Sequence, residues 1–221
     1  MITYRLARPP IDRDDAPAIC IIDDDEDLCL SLVNLFKSVG LKANYFTSTR
    51  AFVDAKPVRA PECLVLDVRL PDTSGLDFQS QLERMGRTIP IIFVTGHGDI
   101  PMTVKAMKAG AVEFLTKPVR EEDLLDAVRS AMARSKAQRS EESRTAQMRD
   151  HYATLTAREQ EVLKCVAAGM MNKQIASQFG LSEITVKVHR RNMMRKMHAK
   201  SLADLVRMAD CVLPERAAPS R

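Results

Sequence analysis

Cys63-Leu64-Val65-Leu66-Asp67-Val68-Arg69-Leu70-Pro71-Asp72-Thr73-Ser74-Gly75 is the most telling segment of the chain. An apolar run ends on a single Asp, and a Pro and a Gly then turn the chain away. Such a run, bounded by turn residues, predicts a buried strand of a parallel sheet. Asp67 then stands at that strand's C-terminal end, where open α/β sheets place their ligand crevices. Taken alone, an Asp in that place is most often a turn residue. Its meaning depends on what the other strands bring to the same edge.

Ala18–Ile22 is a second short apolar run, and it ends on Asp23-Asp24-Asp25-Glu26-Asp27. Leu28–Val39 carries apolar residues at a helical period with Gly40 as its stop. Lys42–Phe46 predicts another strand. Ile89–Val94 is a further one, ending on Thr95-Gly96-His97-Gly98-Asp99. Met102–Lys108 predicts a helix, Val112–Thr116 a strand ending on Lys117-Pro118, and Glu121–Met132 an amphipathic helix. Strands alternating with helices imply right-handed crossovers, and so an α/β domain with a five-stranded, doubly wound parallel sheet.

All strand ends of such a sheet face one edge, which gathers Asp23, Asp24, Asp67, Thr95 and Lys117. Three carboxylates together repel and need a cation, and oxygen ligands suit magnesium. A lysine adds point charge and a threonine a hydrogen bond for a phosphoryl oxygen. Asp67 then reads as a nucleophile that forms an acyl phosphate. The plainer reading, a solvated acidic turn and a surface lysine, holds for any one residue but not for five coordinated strand ends.

With these residues in view, Ala18–Met132 resembles the receiver domain of bacterial two-component response regulators. The resemblance implies Asp67 as phospho-acceptor, Mg2+ held by Asp23, Asp24 and Asp67, and a cis Lys117–Pro118 bond. It also implies a switch in which Thr95 moves toward the phosphoryl group and Phe114 turns inward behind it; from the residues alone, Phe114 is ordinary strand core. Gly96 would leave the site open to a partner and to water. The segment Thr95–Asp99 is similar to the FixJ group. His97 reads as a surface residue leading a helix.

Composition sets the outer bounds. The 221 residues suffice for two domains, and 45% hydrophobic with 28% charged residues is ordinary for a globular chain. No apolar run approaches the roughly 20 residues of a membrane span. Met1–Pro17 lacks an apolar signal core and is expected to be a disordered tail. Five cysteines, odd in number and without metal-like spacing, read as reduced residues of a cytoplasmic protein. The net charge of +4 hides an asymmetry: residues 17–135 hold 14 Lys+Arg against 17 Asp+Glu, and residues 151–221 hold 12 against 6. An acidic half joined to a basic half suggests two tasks, the second on nucleic acid.

Between the halves, residues 134–150 are polar, Ser-rich and free of Gly and Pro, a linker that is partly helical or an extended tether. After Asp150 no strand-like run occurs. Thr156 with Glu159 forms a capping box. Asn172 is placed to cap a second helix that Gly180 closes, and Ser182 caps a third, Glu183–Met197. The short turn Gly180-Leu181-Ser182 between helices is a helix-turn-helix signature. Across residues 173–200 the basic residues face Glu183 as their one acidic neighbour, an imbalance that favours DNA.

Leu155-Thr156-Ala157-Arg158-Glu159, Asn172-Lys173, Thr185-Val186-Lys187-Val188-His189 and Lys200-Ser201-Leu202 resemble the LuxR-type helix-turn-helix of the FixJ/NarL regulators. The resemblance implies an all-α domain of four helices over residues 151–213, with a frayed tail at 214–221. Lys187, Val188 and Arg191 become candidates for reading bases. Lys173, Thr185, His189 and Arg190 are placed on phosphate or in the fold, and Arg195 lies on the basic stripe. Together the two halves predict a phosphorylation-activated regulator that receives its phosphoryl group from a sensor histidine kinase. It would dimerise, bind promoter DNA and engage RNA polymerase as an activator. The rivals are an aspartyl-phosphate hydrolase, for which no second general base is visible, and a phosphorylation-independent DNA-binding module with a vestigial receiver.

Overall fold

The computed structural model describes residues 18–55, 60–96 and 98–213; the expected tails at 1–17 and 214–221, and His97, lie outside them. The chain divides into two compact units, residues 1–138 and 139–221.

The first unit is a parallel sheet of β1 (Ile19–Ile22), β2 (Ala43–Phe46), β3 (Cys63–Leu66), β4 (Ile91–Thr95) and β5 (Glu113–Thr116), in the order β2-β1-β3-β4-β5. A five-stranded, doubly wound parallel sheet is the architecture expected. Side chains alternate across a strand, and here both sets are apolar. Ile19, Ile21, Cys63, Val65, Ile92 and Val94 enter one core with Cys29, Leu32 and Phe36 of α1 (Glu26–Ser38) and Leu124 and Val128 of α5 (Glu121–Ala153). Cys20, Ile22, Leu64, Leu66, Ile91 and Phe93 enter the other. Against them pack Phe52 of α2 (Thr49–Asp54), Phe78 and Leu82 of α3 (Gly75–Arg84) and Ala106 of α4 (Ile100–Lys108). Burial on both faces is why the central strands read as unbroken apolar runs.

Two helices escaped the sequence reading. α2 has six residues, too few to show a helical period. In α3 the buried positions include Gln79 as well as Leu76, Phe78 and Leu82, which blurs the apolar stripe. α5 is a continuous helix of 33 residues, so residues 134–150 are helical throughout instead of partly extended. The absence of Gly and Pro there leaves nothing to stop the helix.

The second unit holds α6 (Ala157–Ala167), α7 (Asn172–Phe179), α8 (Glu183–Lys196) and α9 (Leu202–Val212) around Val162, Leu163, Ile175, Val186, Met193, Met197 and Leu205. The residues at the start of α6 and the end of α7 are fixed by local contacts. Leu155 is buried. Thr156 Oγ1 accepts from Glu159 N while Glu159 Oε2 accepts from Thr156 N, closing the capping box. The Arg158 guanidinium lies 4.5 Å from the centre of the Phe179 ring and donates to the Phe179 carbonyl at 3.1 Å, tying the start of α6 to the end of α7. Gly180 then takes φ 65°, the left-handed region that a helix C-terminus needs and glycine adopts freely. One expectation fails: Met171, not Asn172, is the N-cap residue of α7. Asn172 is already inside the helix, its Oδ1 accepting from Arg190 Nη1 at 2.5 Å.

Candidate functional site

The expected carboxylates, hydroxyl and amine sit at the same sheet edge. Asp23 follows β1, Asp67 follows β3, Thr95 ends β4, and Lys117 follows β5. The acidic run after β1 divides its work. Asp23 is buried and Asp24 exposed. Asp25 caps α1, its Oδ1 accepting from Leu28 N at 3.0 Å, and Glu26 accepts from the Tyr45 hydroxyl at 2.7 Å.

Lys117 Nζ donates to Asp23 Oδ2 at 2.6 Å and to Asp67 Oδ2 at 2.8 Å. The other oxygen of each carboxylate is held by backbone: Asp25 N donates to Asp23 Oδ1 at 3.0 Å and Arg69 N to Asp67 Oδ1 at 3.0 Å. Asp67 is 7% exposed, so its carboxylate is fixed yet reachable. Burial raises the Asp23 carboxyl above the usual range, despite the hydrogen bond from Lys117, with the Asp67 charge adding to the rise. Burial works against charge on Lys117 too, but its hydrogen bonds to two carboxylates outweigh this and hold the ammonium above its ordinary pKa. Both pKa values rise, but from opposite causes: burial prevails at Asp23, whose side chain is the more deeply buried, and the hydrogen bonds prevail at Lys117. Carboxylate oxygens of Asp23, Asp24 and Asp67 lie within 4.8 Å of one another. Hard oxygen donors in that number fit a divalent cation such as Mg2+, and each bonded oxygen keeps a lone pair for it.

The walls are close-fitting. Gly75 N donates to the Val68 carbonyl, and a Cβ at Gly75 would stand 2.3 Å from the Asp67 carbonyl oxygen. Thr95 is buried, and its carbonyl accepts from Lys117 N at 2.8 Å. The Lys117–Pro118 peptide is cis. Among the described residues, a Cβ at Gly96 would meet nothing within 4 Å, so they leave this side open. Phe114 is partly buried against the core, its ring 6.0 Å from that of Phe93.

In the second unit, Ser182 Oγ accepts from Thr185 N and bonds to Thr185 Oγ1, capping α8. Of the basic residues, Lys196 Nζ donates to the buried Glu159 at 2.6 Å and Arg190 to Asn172, so both are tied into the fold. Lys173, Lys187, Val188, Arg191 and Arg195 are exposed, and His189 is half-buried.

The receiver domain of response regulators matches residues 19–129, and the luxR family of bacterial regulatory proteins matches residues 153–209. The chain belongs to the response regulators with a LuxR-type DNA-binding domain. It is 52% identical over 192 residues to Nodulation protein W of Bradyrhizobium diazoefficiens, covering 87% of this chain and 85% of that one. It is 41% identical over 189 residues to the transcriptional regulatory protein FixJ of Rhizobium meliloti, covering 86% and 93%. Among solved structures, the response regulator StyR is 43% identical with a TM-score of 0.76, covering 88% of this chain and 98% of that one. Relatives of this kind are transcription regulators, and no helix among the described residues is long and apolar enough to cross a membrane.

One residue of this response regulator's site gave no sequence signal. Asp72, in the loop after Asp67, accepts from Thr49 Oγ1 at 2.8 Å and from Arg50 N at 2.9 Å, pinning that loop to the start of α2. Burial alone would raise its carboxyl; the Arg50 N–H and the Thr49 hydroxyl outweigh it and hold it below the usual carboxylate range. Its partners lie more than twenty residues away in sequence, so no local pattern could mark it.

Proposed function

We propose that a sensor histidine kinase phosphorylates Asp67 and that the phosphorylated chain, as a dimer, binds promoter DNA and engages RNA polymerase to activate transcription in the cytoplasm. What supports this most is the fixed Asp67 carboxylate, bonded by Lys117 and set beside Asp23 and Asp24. An Asp67 oxygen attacks the phosphorus, a new O–P bond forms, and the bond from phosphorus to the donor imidazole nitrogen breaks. Lys117 offsets charge on the transferring oxygens. Mg2+ held by Asp23, Asp24 and Asp67 would supply further charge neutralisation there. Thr95 offers its hydroxyl to a phosphoryl oxygen, and the open side at Gly96 admits the donor.

In the second unit, Lys187, Val188 and Arg191 read bases, while Lys173 and Arg195 meet phosphates. Thr185, His189 and Arg190 act chiefly by shaping and orienting α8. The complete set at the sheet edge speaks against a vestigial receiver. The test is incubation of wild type and Asp67→Asn with a small acyl-phosphate donor and Mg2+, followed by intact-mass measurement. One added phosphoryl group on wild type and none on the variant is expected; phosphate retained on the variant removes Asp67 as acceptor.

A further inference from the structure

On α8, a helix dominated by basic residues, Ile184 is 74% exposed and Val188 52% exposed. At about 100° per residue, Arg191 and Arg195 lie within about 20° of Ile184 around the helix, Val188 about 40° and Lys187 about 60°. The buried Val186, Met193 and Met197 lie about 180–220° away by the same count. Ile184 therefore marks the middle of the outward face, in the first turn of the helix. A β-branched apolar side chain held in water at that point gains nothing from its own domain. Its neighbours are cationic, so the surface they form together suits a polyanion that also carries an apolar group. In the major groove of duplex DNA the C5-methyl of thymine is such a group, and the N-terminal residues of a recognition helix are those that reach base edges.

We propose that Ile184 is a specificity-determining residue that packs on the C5-methyl of a thymine, with Val188 completing the apolar contact. This rests on the reading of α8 as the DNA-contacting helix. It adds a residue outside the positions whose pattern marks the domain, and it commits that residue to one base.

The test uses the full chain phosphorylated with a small acyl-phosphate donor. Binding sites are first selected from random duplex DNA, and each thymine of the selected site is then replaced singly by deoxyuridine, which removes only the C5-methyl. At one thymine of each half-site, deoxyuridine should weaken wild-type binding about four-fold, the loss expected for one buried methyl-sized group. Ile184→Ala should bind the parent site more weakly by a similar factor and be insensitive to deoxyuridine at that position. Ile184 is exposed, so circular dichroism and thermal melting of the variant should match wild type. Equal deoxyuridine losses in both proteins at every thymine, or a selected site without a required thymine, overturn the proposal and leave DNA binding by α8 standing. In that case Ile184 faces a protein partner instead. If wild type selects no sequence at all, the DNA reading of α8 falls and this proposal with it.

Discussion

Gly98 lies against the ring of Phe114: a Cβ at residue 98 would stand 2.7 Å from Phe114 Cε1 and 3.3 Å from Cζ. The two residues belong to the loop after β4 and to β5, three residues after Thr95 and three before Lys117 respectively. The room left by a missing methyl group therefore sets where the Phe114 ring rests. A methyl group added there must displace the ring, since the ring is the movable partner.

Gly98→Ala is accordingly expected to destabilise the receiver by about 1–2 kcal/mol, in the range of overpacking. Combined with Phe114→Ala, which removes the obstructing ring, it should add little. Denaturant titration of the two single variants and the double variant measures the coupling. Strict additivity would show that residue 98 does not act through Phe114.

Gly75 has a harder neighbour. A Cβ at Gly75 would lie 2.3 Å from the backbone oxygen of Asp67 and 3.1 Å from Val68 Cα, and main chain cannot rotate aside. Gly75→Ala should push the Asp67 peptide out of place, costing about 1–3 kcal/mol of stability. Phosphorylation by a small acyl-phosphate donor should slow at least ten-fold, because in-line attack depends on carboxylate placement. An unaltered phosphorylation rate would show that the Pro71–Gly75 turn does not hold the acceptor.

Asp23, Asp67, Thr95 and Lys117 were legible because a parallel sheet turns local strand ends into one edge, so four distant turns predict one site. Thr156 and Glu159 were legible because a cap is a local pattern. Asp72 was not, because its partners Thr49 and Arg50 are brought to it only by the fold. Lys196 counts only as one of the basic residues of 173–200, and Arg190 is left on phosphate or in the fold; each is held by an inward partner, Glu159 and Asn172. Charge counting gives the sign of a surface but not which cations face outward. Asn172 misled for a related reason: a residue type favoured at helix starts was recruited by Arg190 one position inside.

The Asp23 carboxyl is raised in the fold, chiefly by burial. A folded pKa above the unfolded one means the folded state binds the extra proton, so stability falls as pH rises from the unfolded to the folded pKa and stays lowered above. In chelator at pH 7, Asp23→Asn should thus be more stable than wild type by about 0.5–2 kcal/mol, as is common for residues kept for function. The gap should close as pH falls through the carboxylate range. Mg2+ should raise the melting temperature of wild type, since binding to the folded state stabilises it, and have little effect on the variant. A wild type insensitive to Mg2+ would argue against the carboxylate trio as a cation site.

Glu159 behaves in the opposite sense. Burial alone would raise its carboxyl, but Lys196 and the Thr156 N–H outweigh burial and hold it below its usual value. A depressed pKa contributes stability that is present above the unfolded value, about 4.5, and is lost as pH falls through the folded value. Unfolding of the DNA-binding domain should therefore set in as pH drops below that range. Lys196→Ala, which strands a buried carboxylate, should cost about 3 kcal/mol at neutral pH. Thermal melts of both proteins between pH 3 and 7 report the difference, which should narrow at the acid end where Glu159 is protonated in either protein.

Because Lys196 and Arg190 are turned inward, the outward cations of α8 are the ones expected to govern affinity for DNA. Lys187→Ala and Arg191→Ala should each weaken binding to a selected site by about 1–3 kcal/mol if they read base edges, with the loss concentrated at one base position. Arg195→Ala, placed on phosphate, should weaken binding evenly across sequences and reduce the slope of log affinity against log salt by about 1. None of the three should alter phosphorylation of Asp67, since they lie in the other compact unit. Footprinting and salt titration separate these outcomes. Footprints unchanged by both Lys187→Ala and Arg191→Ala would mean that α8 does not enter the groove through this face.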